Sequence, residues 1–175
     1  MTTTRQAFRR GCQVVVLAAL LGVVAVPSGN DLRPFVRGSW KQIRQAHHDQ
    51  PLVVHFWGVT CAPCMTELPK WGQLHTQRPK ANIVFVAADP IPIDPPNIEA
   101  AITRTGIGTA ENWMFSDSFL ERLRFEVNPA WGGELPYTVL IGADGTMTAT
   151  AGVTEASAIS AWLDKQTVGS RRTRP

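Results

Sequence analysis

The sequence predicts an α/β domain with a mixed central sheet flanked by helices, and three observations support this prediction. Two short apolar runs, Leu52–Trp57 and residues 83–88, are typical of buried strands, and a helical segment separates them. Strands joined through a helix are expected to be parallel, with a right-handed crossover. Further along, Tyr137–Ile141 and residues 146–151 flank an Ala-Asp-Gly turn, which predicts an antiparallel hairpin in the same sheet.

The other elements are predicted from local patterns between these strands. Helices are expected, in chain order, over residues 40–46, 61–74, 98–104, 119–125 and 155–166. A short strand is expected over residues 113–115. Residues 89–96 and 128–134 are rich in proline and glycine, which predicts loops.

A targeting segment is predicted over residues 1–28. Three arginines precede an uninterrupted apolar run over residues 14–26, which Pro27 ends. A basic start, a run of about 13 apolar residues and small residues after it are typical of a secretory signal. The run also approaches the shortest length that spans a membrane, so an uncleaved anchor remains open. Both interpretations place the body of the chain outside the cytoplasm, and we expect a periplasmic protein.

The net charge of +3 does not predict a nucleic-acid partner. From Gly29 onward the chain carries 14 basic and 14 acidic side chains, and three of the basic ones lie in the last five residues. The net positive charge is therefore located at the two ends and not on one binding face, because the body between them carries 11 basic and 14 acidic side chains. We expect residues 167–175 to form a disordered basic tail, and residues 29–50 to extend a folded domain of residues 51–166.

The cysteines indicate redox chemistry. Cys12 lies in the targeting segment, which leaves Cys61 and Cys64 as one closely spaced pair. A secreted domain held together by disulfides usually has about four cysteines or more. A thiol that attacks disulfides must be partly ionised near neutral pH, and the N-terminus of a helix favours the thiolate. Cys61 stands directly between a buried strand and a helix, where such a thiol is expected.

Three motifs, in order along the chain, resemble the TlpA/ResA-like branch of the thioredoxin family. They are Phe56-Trp57-x-x-x-Cys61-x-Pro63-Cys64, Cys64-x-x-Glu67-x-Pro69, and Leu135-Pro136-Tyr137-Thr138-Val139-Leu140-Ile141 followed by Asp144-Gly145. The resemblance covers roughly residues 50–166 and implies a thioredoxin fold with an inserted helix and strand around residues 97–116. It implies an extracytoplasmic thiol–disulfide oxidoreductase that uses neither a cofactor nor a metal.

The resemblance also implies roles for individual residues. Cys61 would be the nucleophile, and Cys64 would be the buried thiol that resolves the mixed disulfide. Pro136 would be a cis-proline beside the pair, which leaves the backbone of Leu135 free to pair with a bound peptide. The expected substrate-binding residues are Trp57, Leu135 and Tyr137.

Two titratable residues are candidates for proton transfer. Glu67 lies three residues after Cys64, so both can face the same side of the helix, and a carboxylate there suits taking the proton of Cys64. His55 stands six residues before Cys61, where many thioredoxins carry a buried acid, and is a candidate proton shuttle. Each residue also has a purely structural interpretation. Glu67 could be an acid favoured near the start of a helix, and His55 could be a histidine with a hydrogen-bond partner in the core.

We therefore expect a monomeric reductase of specific partner disulfides. The resemblance implies apocytochrome c or a copper-site protein as the partner, and a membrane donor as the source of electrons. A copper chaperone that holds Cu(I) with the same cysteine pair, and with Met65, His47 or His48 nearby, is an alternative. Zinc binding, a structural disulfide and a peroxidase are also open.

Overall fold

The computed structural model describes residues 31–172, in which six strands form one mixed sheet between two layers of helices. The strands are β1 (Leu32–Phe35), β2 (Leu52–Trp57), β3 (Asn82–Ala87), β4 (Glu111–Phe115), β5 (Tyr137–Ile141) and β6 (Met147–Ala151). The helices are α1 (Ser39–Ala46), α2 (Ala62–Gln77), α3 (Pro95–Thr105), α4 (Leu120–Val127) and α5 (Ala156–Arg172). The predicted fold class is confirmed.

The strand order across the sheet is β1-β4-β3-β2-β5-β6. β1, β4, β3 and β2 run parallel to one another, so their carboxyl ends lie at the same edge of the sheet. β5 pairs antiparallel with β2, and β6 pairs antiparallel with β5 as the predicted hairpin. The chain leaves β2 at the carboxyl edge and enters α2 there, which places the cysteine pair at that edge.

Side chains of β2 alternate between two separate cores. Val54 and Phe56 belong to a core that α1 and α4 cover, whereas Val53 and Trp57 belong to a second core under α2, α3 and α5. A strand covered on both faces is expected to be mostly apolar, which explains why five of the six residues of β2 are hydrophobic. His55 is the one polar side chain in this strand and faces the second core.

The N-terminal extension is part of the folded domain, which the sequence-based boundary at residue 51 did not predict. β1 pairs in parallel with β4 at the edge of the sheet, and Phe35, Trp40 and Ile43 are buried in the first core. The strand was missed because it has only four residues and contains an arginine and a proline. Proline is tolerated in such a strand because an edge position needs fewer ladder hydrogen bonds.

Several helix boundaries also differ from the prediction, among them the start of α3, the ends of α2 and α4, and the end of α5. α3 begins at Pro95, inside the predicted loop, because proline suits the first turn of a helix. α5 continues to Arg172, so much of the predicted basic tail is helical. The predicted targeting segment, residues 1–28, lies outside the described residues. Among the helices of residues 31–172, none is long and apolar enough to cross a membrane.

Gly72 allows α2 to pack closely against the end of α3. A Cβ atom at this position would contact the carbonyl oxygen of Thr105 and would lie 3.1 Å from the carbonyl carbon of Gly106. We expect Gly72→Ala to lower the free energy of unfolding by about 1–3 kcal/mol, although alanine is the better helix former, because backbone must move to admit the methyl group. Urea unfolding measures this, with Gln73→Ala at an exposed position of the same helix as control. A stabilised Gly72→Ala variant would contradict the packing described here.

Candidate active site

Cys61 and Cys64 form a disulfide at the point where β2 passes into α2. Cys61 is the N-cap residue of α2 and has an extended backbone, while Pro63 stands in the first helical turn. The two Cα atoms are 5.2 Å apart. Cys64 is fully buried in the second core, whereas Cys61 is partly exposed at its margin. An incoming partner can therefore reach the sulfur of Cys61 and not that of Cys64.

The helix N-terminus directs a hydrogen-bond donor at Cys61. The backbone N–H of Cys64 donates to Sγ of Cys61 at 3.2 Å. In the reduced protein the same donor would meet a sulfur that can carry negative charge, and hydrogen bonds to a charged acceptor are the stronger ones. This geometry agrees with the expectation that the helix N-terminus stabilises a Cys61 thiolate.

The loop that precedes Cys61 is tied to Asp89, which the chain supplies just after β3. The Asp89 carboxylate accepts hydrogen bonds from the N–H groups of Val59 at 3.0 Å and Thr60 at 2.9 Å, and from the Thr60 hydroxyl at 2.8 Å. Sequence analysis had assigned Asp89 only to a loop. An aspartate directly after a buried strand, beside the strand that carries the cysteine pair, is the signal that could have identified it.

Glu67 is a buried carboxylate behind the cysteine pair, on the same helix as Cys64. Its side chain is 4% exposed, and its Oε1 lies 3.2 Å from Nε2 of His55. The distance is that of an ion pair, although the angle departs from hydrogen-bond geometry. Oε2 accepts the backbone N–H of Thr154 at 3.2 Å. The structure thus brings together the two residues that the sequence indicated separately for proton transfer.

His55 connects Glu67 with β5. Its Nδ1 lies 3.0 Å from the hydroxyl oxygen of Thr138, the residue directly opposite it in the β2–β5 ladder. Its ring stacks on Trp71 with centroids 4.2 Å apart. The tautomer with hydrogen on Nε2 suits both neighbours, because Nδ1 then accepts from the Thr138 hydroxyl and the Nε2–H lies near the Glu67 carboxylate. Burial lowers the pKa of His55 and outweighs the opposing effect of Glu67.

The lowered pKa of His55 predicts a loss of stability in acid. In the folded protein burial keeps the imidazole neutral, whereas in the unfolded chain it takes up a proton near its ordinary pKa of 6.5. The unfolded state then binds more protons, so the free energy of unfolding is expected to fall as the pH drops below about 6.5, by at most about 1.4 kcal/mol per pH unit for this group. His75, whose pKa burial also lowers, acts in the same direction.

Urea unfolding between pH 7.5 and pH 5 measures this slope. The His55→Gln variant is expected to have a shallower slope than wild type. The matched control is His48→Gln, since the side chain of His48 is 77% exposed. Equal slopes for wild type and His55→Gln would show that His55 is not held neutral in the folded protein.

The region around Pro136 differs in part from the expectation. The Leu135–Pro136 peptide bond is cis. Leu135 is partly buried and packs against both cores. Trp57 and Tyr137 are buried, and the Tyr137 ring stacks on Trp131 with centroids 4.5 Å apart. The side chains of Trp57 and Tyr137 belong to the two cores and Leu135 alone of the three is partly exposed, and contact of the three with a substrate stays a prediction.

The structure does not bring His47 or His48 to the cysteine pair. Nε2 of His47 lies 3.1 Å from the carboxylate of Glu111. Glu111 is the first residue of β4, at the amino edge of the parallel strands and thus at the opposite edge from Cys61. Within residues 31–172 no group of three or more histidine, cysteine and acidic side chains is placed to hold a metal ion. The copper ligand set that combined the pair with these histidines is therefore corrected.

The fold and the cysteine pair together define a thioredoxin-fold protein with a Cys-x-x-Cys disulfide at its strand-to-helix corner. No protein-family model matches the chain, and no curated protein matches it either. Solved structures do match, and the similar ones are thioredoxin-like thiol–disulfide oxidoreductases. At identities near 20% they show the fold.

Three of these structures illustrate the similarity. A secreted Mycobacterium tuberculosis disulfide oxidoreductase, described as homologous to Escherichia coli DsbE, matches with a TM-score of 0.57 and 20% identity over 69% of this chain and 85% of that one. A thioredoxin-family thiol:disulfide interchange protein from Chlorobium tepidum matches with a TM-score of 0.57 and 19% identity, over 70% of this chain and 83% of that one. StoA from Bacillus subtilis matches with a TM-score of 0.52 and 21% identity, over 66% of this chain and 83% of that one.

Proposed function

We propose that the chain is an extracytoplasmic thiol–disulfide oxidoreductase that reduces disulfides of partner proteins with Cys61 and Cys64. One observation supports this most directly: a partly exposed sulfur at a helix N-cap accepts a backbone N–H and is joined to a buried second sulfur. A structural disulfide needs no such asymmetry, whereas an exchange reaction needs one accessible sulfur and one protected sulfur. The fold shared with disulfide oxidoreductases supports the same conclusion.

The reaction transfers two electrons from the reduced pair to the partner. The Cys61 thiolate attacks one sulfur of the partner disulfide, whose S–S bond breaks, and the other partner sulfur leaves and takes up a proton. Cys64 then loses its proton and attacks Cys61 Sγ, which breaks the mixed disulfide and releases the second partner sulfur. The partner ends as a dithiol, and Cys61 and Cys64 end as a disulfide.

Glu67 and His55 serve the second step in this proposal. Glu67 takes the proton of Cys64 as that sulfur attacks, because both groups are buried and lie three residues apart on α2. His55 lies 3.2 Å from the same carboxylate, and its role as a proton shuttle stays a prediction. The contacts of Glu67 with His55 and with the Thr154 N–H hold the carboxylate in place for repeated cycles.

The partner and the location extend the proposal. The sequence pattern of residues 1–28 supports export, and one structural neighbour is described as secreted. Leu135 offers its backbone to a peptide segment of the partner, with Pro136 beside the pair, as the sequence resemblance implies. Apocytochrome c and copper-site proteins are the partner types we propose, with a membrane donor that returns the electrons and a monomeric enzyme.

Reduction of insulin tests the activity. The protein, added in catalytic amount with excess dithiothreitol, is expected to shorten the lag before insulin precipitates, because it reduces the interchain disulfides. The control is a variant with both cysteines replaced by serine. A lag equal to that of this control would contradict the proposed function.

A further inference from the structure

Asp89 is a buried acid whose hydrogen bonds all reach the two residues before Cys61. Only 6% of the surface of Asp89 is exposed to solvent. Oδ2 accepts the Val59 N–H, and Oδ1 accepts both the N–H and the hydroxyl of Thr60. A carboxylate removed from water in this way is stabilised by its donors, and those donors are consequently fixed in position.

The loop is shaped to fit this carboxylate. A Cβ atom on Gly58 would lie 2.8 Å from Oδ1 and 3.0 Å from Cγ of Asp89, so a side chain there would displace the carboxylate. The N–H of Ala88 also donates to the carbonyl of Trp57 at 2.7 Å, which extends the pairing of β3 and β2 up to the loop. The loop before Cys61 is thus held against the end of β3 by the Asp89 hydrogen bonds and by the Ala88–Trp57 backbone hydrogen bond.

The charge of Asp89 has no neighbouring cation to offset it. In the part of the chain that the structure describes, no lysine, arginine or histidine lies within ion-pair distance of this carboxylate. Asp89 also lines a cavity of about 500 Å³, and the other charged residues lining it are Asp117 and Glu121. Glu121 pairs with Arg124 on α4, at 3.2 Å. The negative charge next to the loop before Cys61 is therefore that of Asp89, with no partner cation.

We propose that Asp89 is a positioning residue that fixes the loop before Cys61 and makes the cysteine pair a stronger reductant. This inference rests on the proposed function. A nearby negative charge disfavours a thiolate. A reduced form that is less stabilised gives up its electrons more readily. Asp89 therefore destabilises the Cys61 thiolate, whereas the N-terminus of α2 stabilises it.

Two matched variants separate charge from hydrogen bonding. Asp89→Asn keeps the size and can still accept both Thr60 donors with its amide oxygen, but it removes the charge and replaces the acceptor of the Val59 N–H with an NH2 group. Thr60→Val removes one hydrogen bond and leaves the carboxylate in place and bound to the two N–H groups. Asp89→Ser is a second neutral variant, for use if Asp89→Asn does not fold. Thermal unfolding confirms that each variant is folded before it is assayed.

Equilibration with glutathione measures the effect. Two glutathione molecules reduce the protein disulfide and become glutathione disulfide, so the reaction is balanced. We expect Asp89→Asn to shift this equilibrium about three- to tenfold toward the reduced protein, which is roughly 15–30 mV at about 30 mV per tenfold, with a lower pKa of the Cys61 thiol. Thr60→Val is expected to change the equilibrium less than about twofold.

These experiments distinguish a failure of the inference about Asp89 from a failure of the proposed disulfide reductase function. If wild-type protein reduces insulin but the neutral Asp89 variants leave both the equilibrium and the Cys61 pKa unchanged, the inference about Asp89 is overturned and the function stands. The inference is also overturned if Thr60→Val produces the same shift as Asp89→Asn, because hydrogen bonding alone would then explain it. Wild-type protein that reduces no disulfide contradicts the function itself.

Discussion

Replacement of Cys61 by serine is expected to abolish disulfide reduction, with a rate at least about a thousandfold below that of wild type. The serine hydroxyl cannot form a disulfide, and Cys64 cannot take over because its side chain is fully buried in the second core. The exposed position of Cys61 at the N-cap of α2 makes it the sulfur that the partner meets. Stopped-flow reduction of a small fluorescent disulfide measures the first step without interference from partner recognition.

Replacement of Cys64 by serine should have a different effect, and it provides the matched control. The first attack by Cys61 should remain, but the mixed disulfide should persist because no second sulfur resolves it. Covalent complexes with partner proteins should therefore accumulate with Cys64→Ser and be absent with Cys61→Ser. Accumulation with Cys61→Ser instead would contradict the assignment of the nucleophile and of the resolving thiol.

Replacement of Glu67 by glutamine is expected to slow the resolving step about a hundredfold near neutral pH, which is the usual contribution of a positioned acid or base. The variant keeps the volume of the side chain and can still accept the Thr154 N–H, but it cannot take the proton of Cys64. The rate of resolution should then rise with pH until Cys64 ionises without assistance. Release of the partner thiol from a preformed mixed disulfide, followed between pH 5 and pH 9, measures this.

A control variant and a second readout keep the test of Glu67 specific. Glu99→Gln removes an exposed carboxylate elsewhere and should leave the rate unchanged. The initial attack by Cys61 should be much less affected than resolution in Glu67→Gln, since the proton in question belongs to Cys64. Resolution as fast as in wild type across the whole pH range would eliminate the proposed role of Glu67.

The sequence predicted the parts of this structure that depend on local pattern. β2 and β5 have the predicted bounds because each is a short run rich in β-branched and aromatic residues between turn signals. The cysteine pair was placed correctly because a strand, a short loop and a helix start follow one another within a few residues. Such features need no knowledge of distant contacts.

Features that depend on distant contacts could not be obtained in the same way. β1 was missed because its stability comes from pairing with β4, some 80 residues later, and not from its own composition. The contact of Glu67 with His55 follows from the packing of α2 on β2. The burial of Trp57 and Tyr137 likewise depends on the helices that cover each face of the sheet.

The central claim is that Cys61 is ionised enough at neutral pH to attack another disulfide, and alkylation of the reduced protein tests it most directly. Iodoacetamide is reacted for short times between pH 5 and pH 9, and the modified cysteine is identified by mass spectrometry. We expect modification of Cys61 with a midpoint clearly below the pKa of about 8.5 of a free cysteine, while Cys64 stays unmodified. A midpoint at the value of free cysteine, or equal modification of both thiols, would contradict the account.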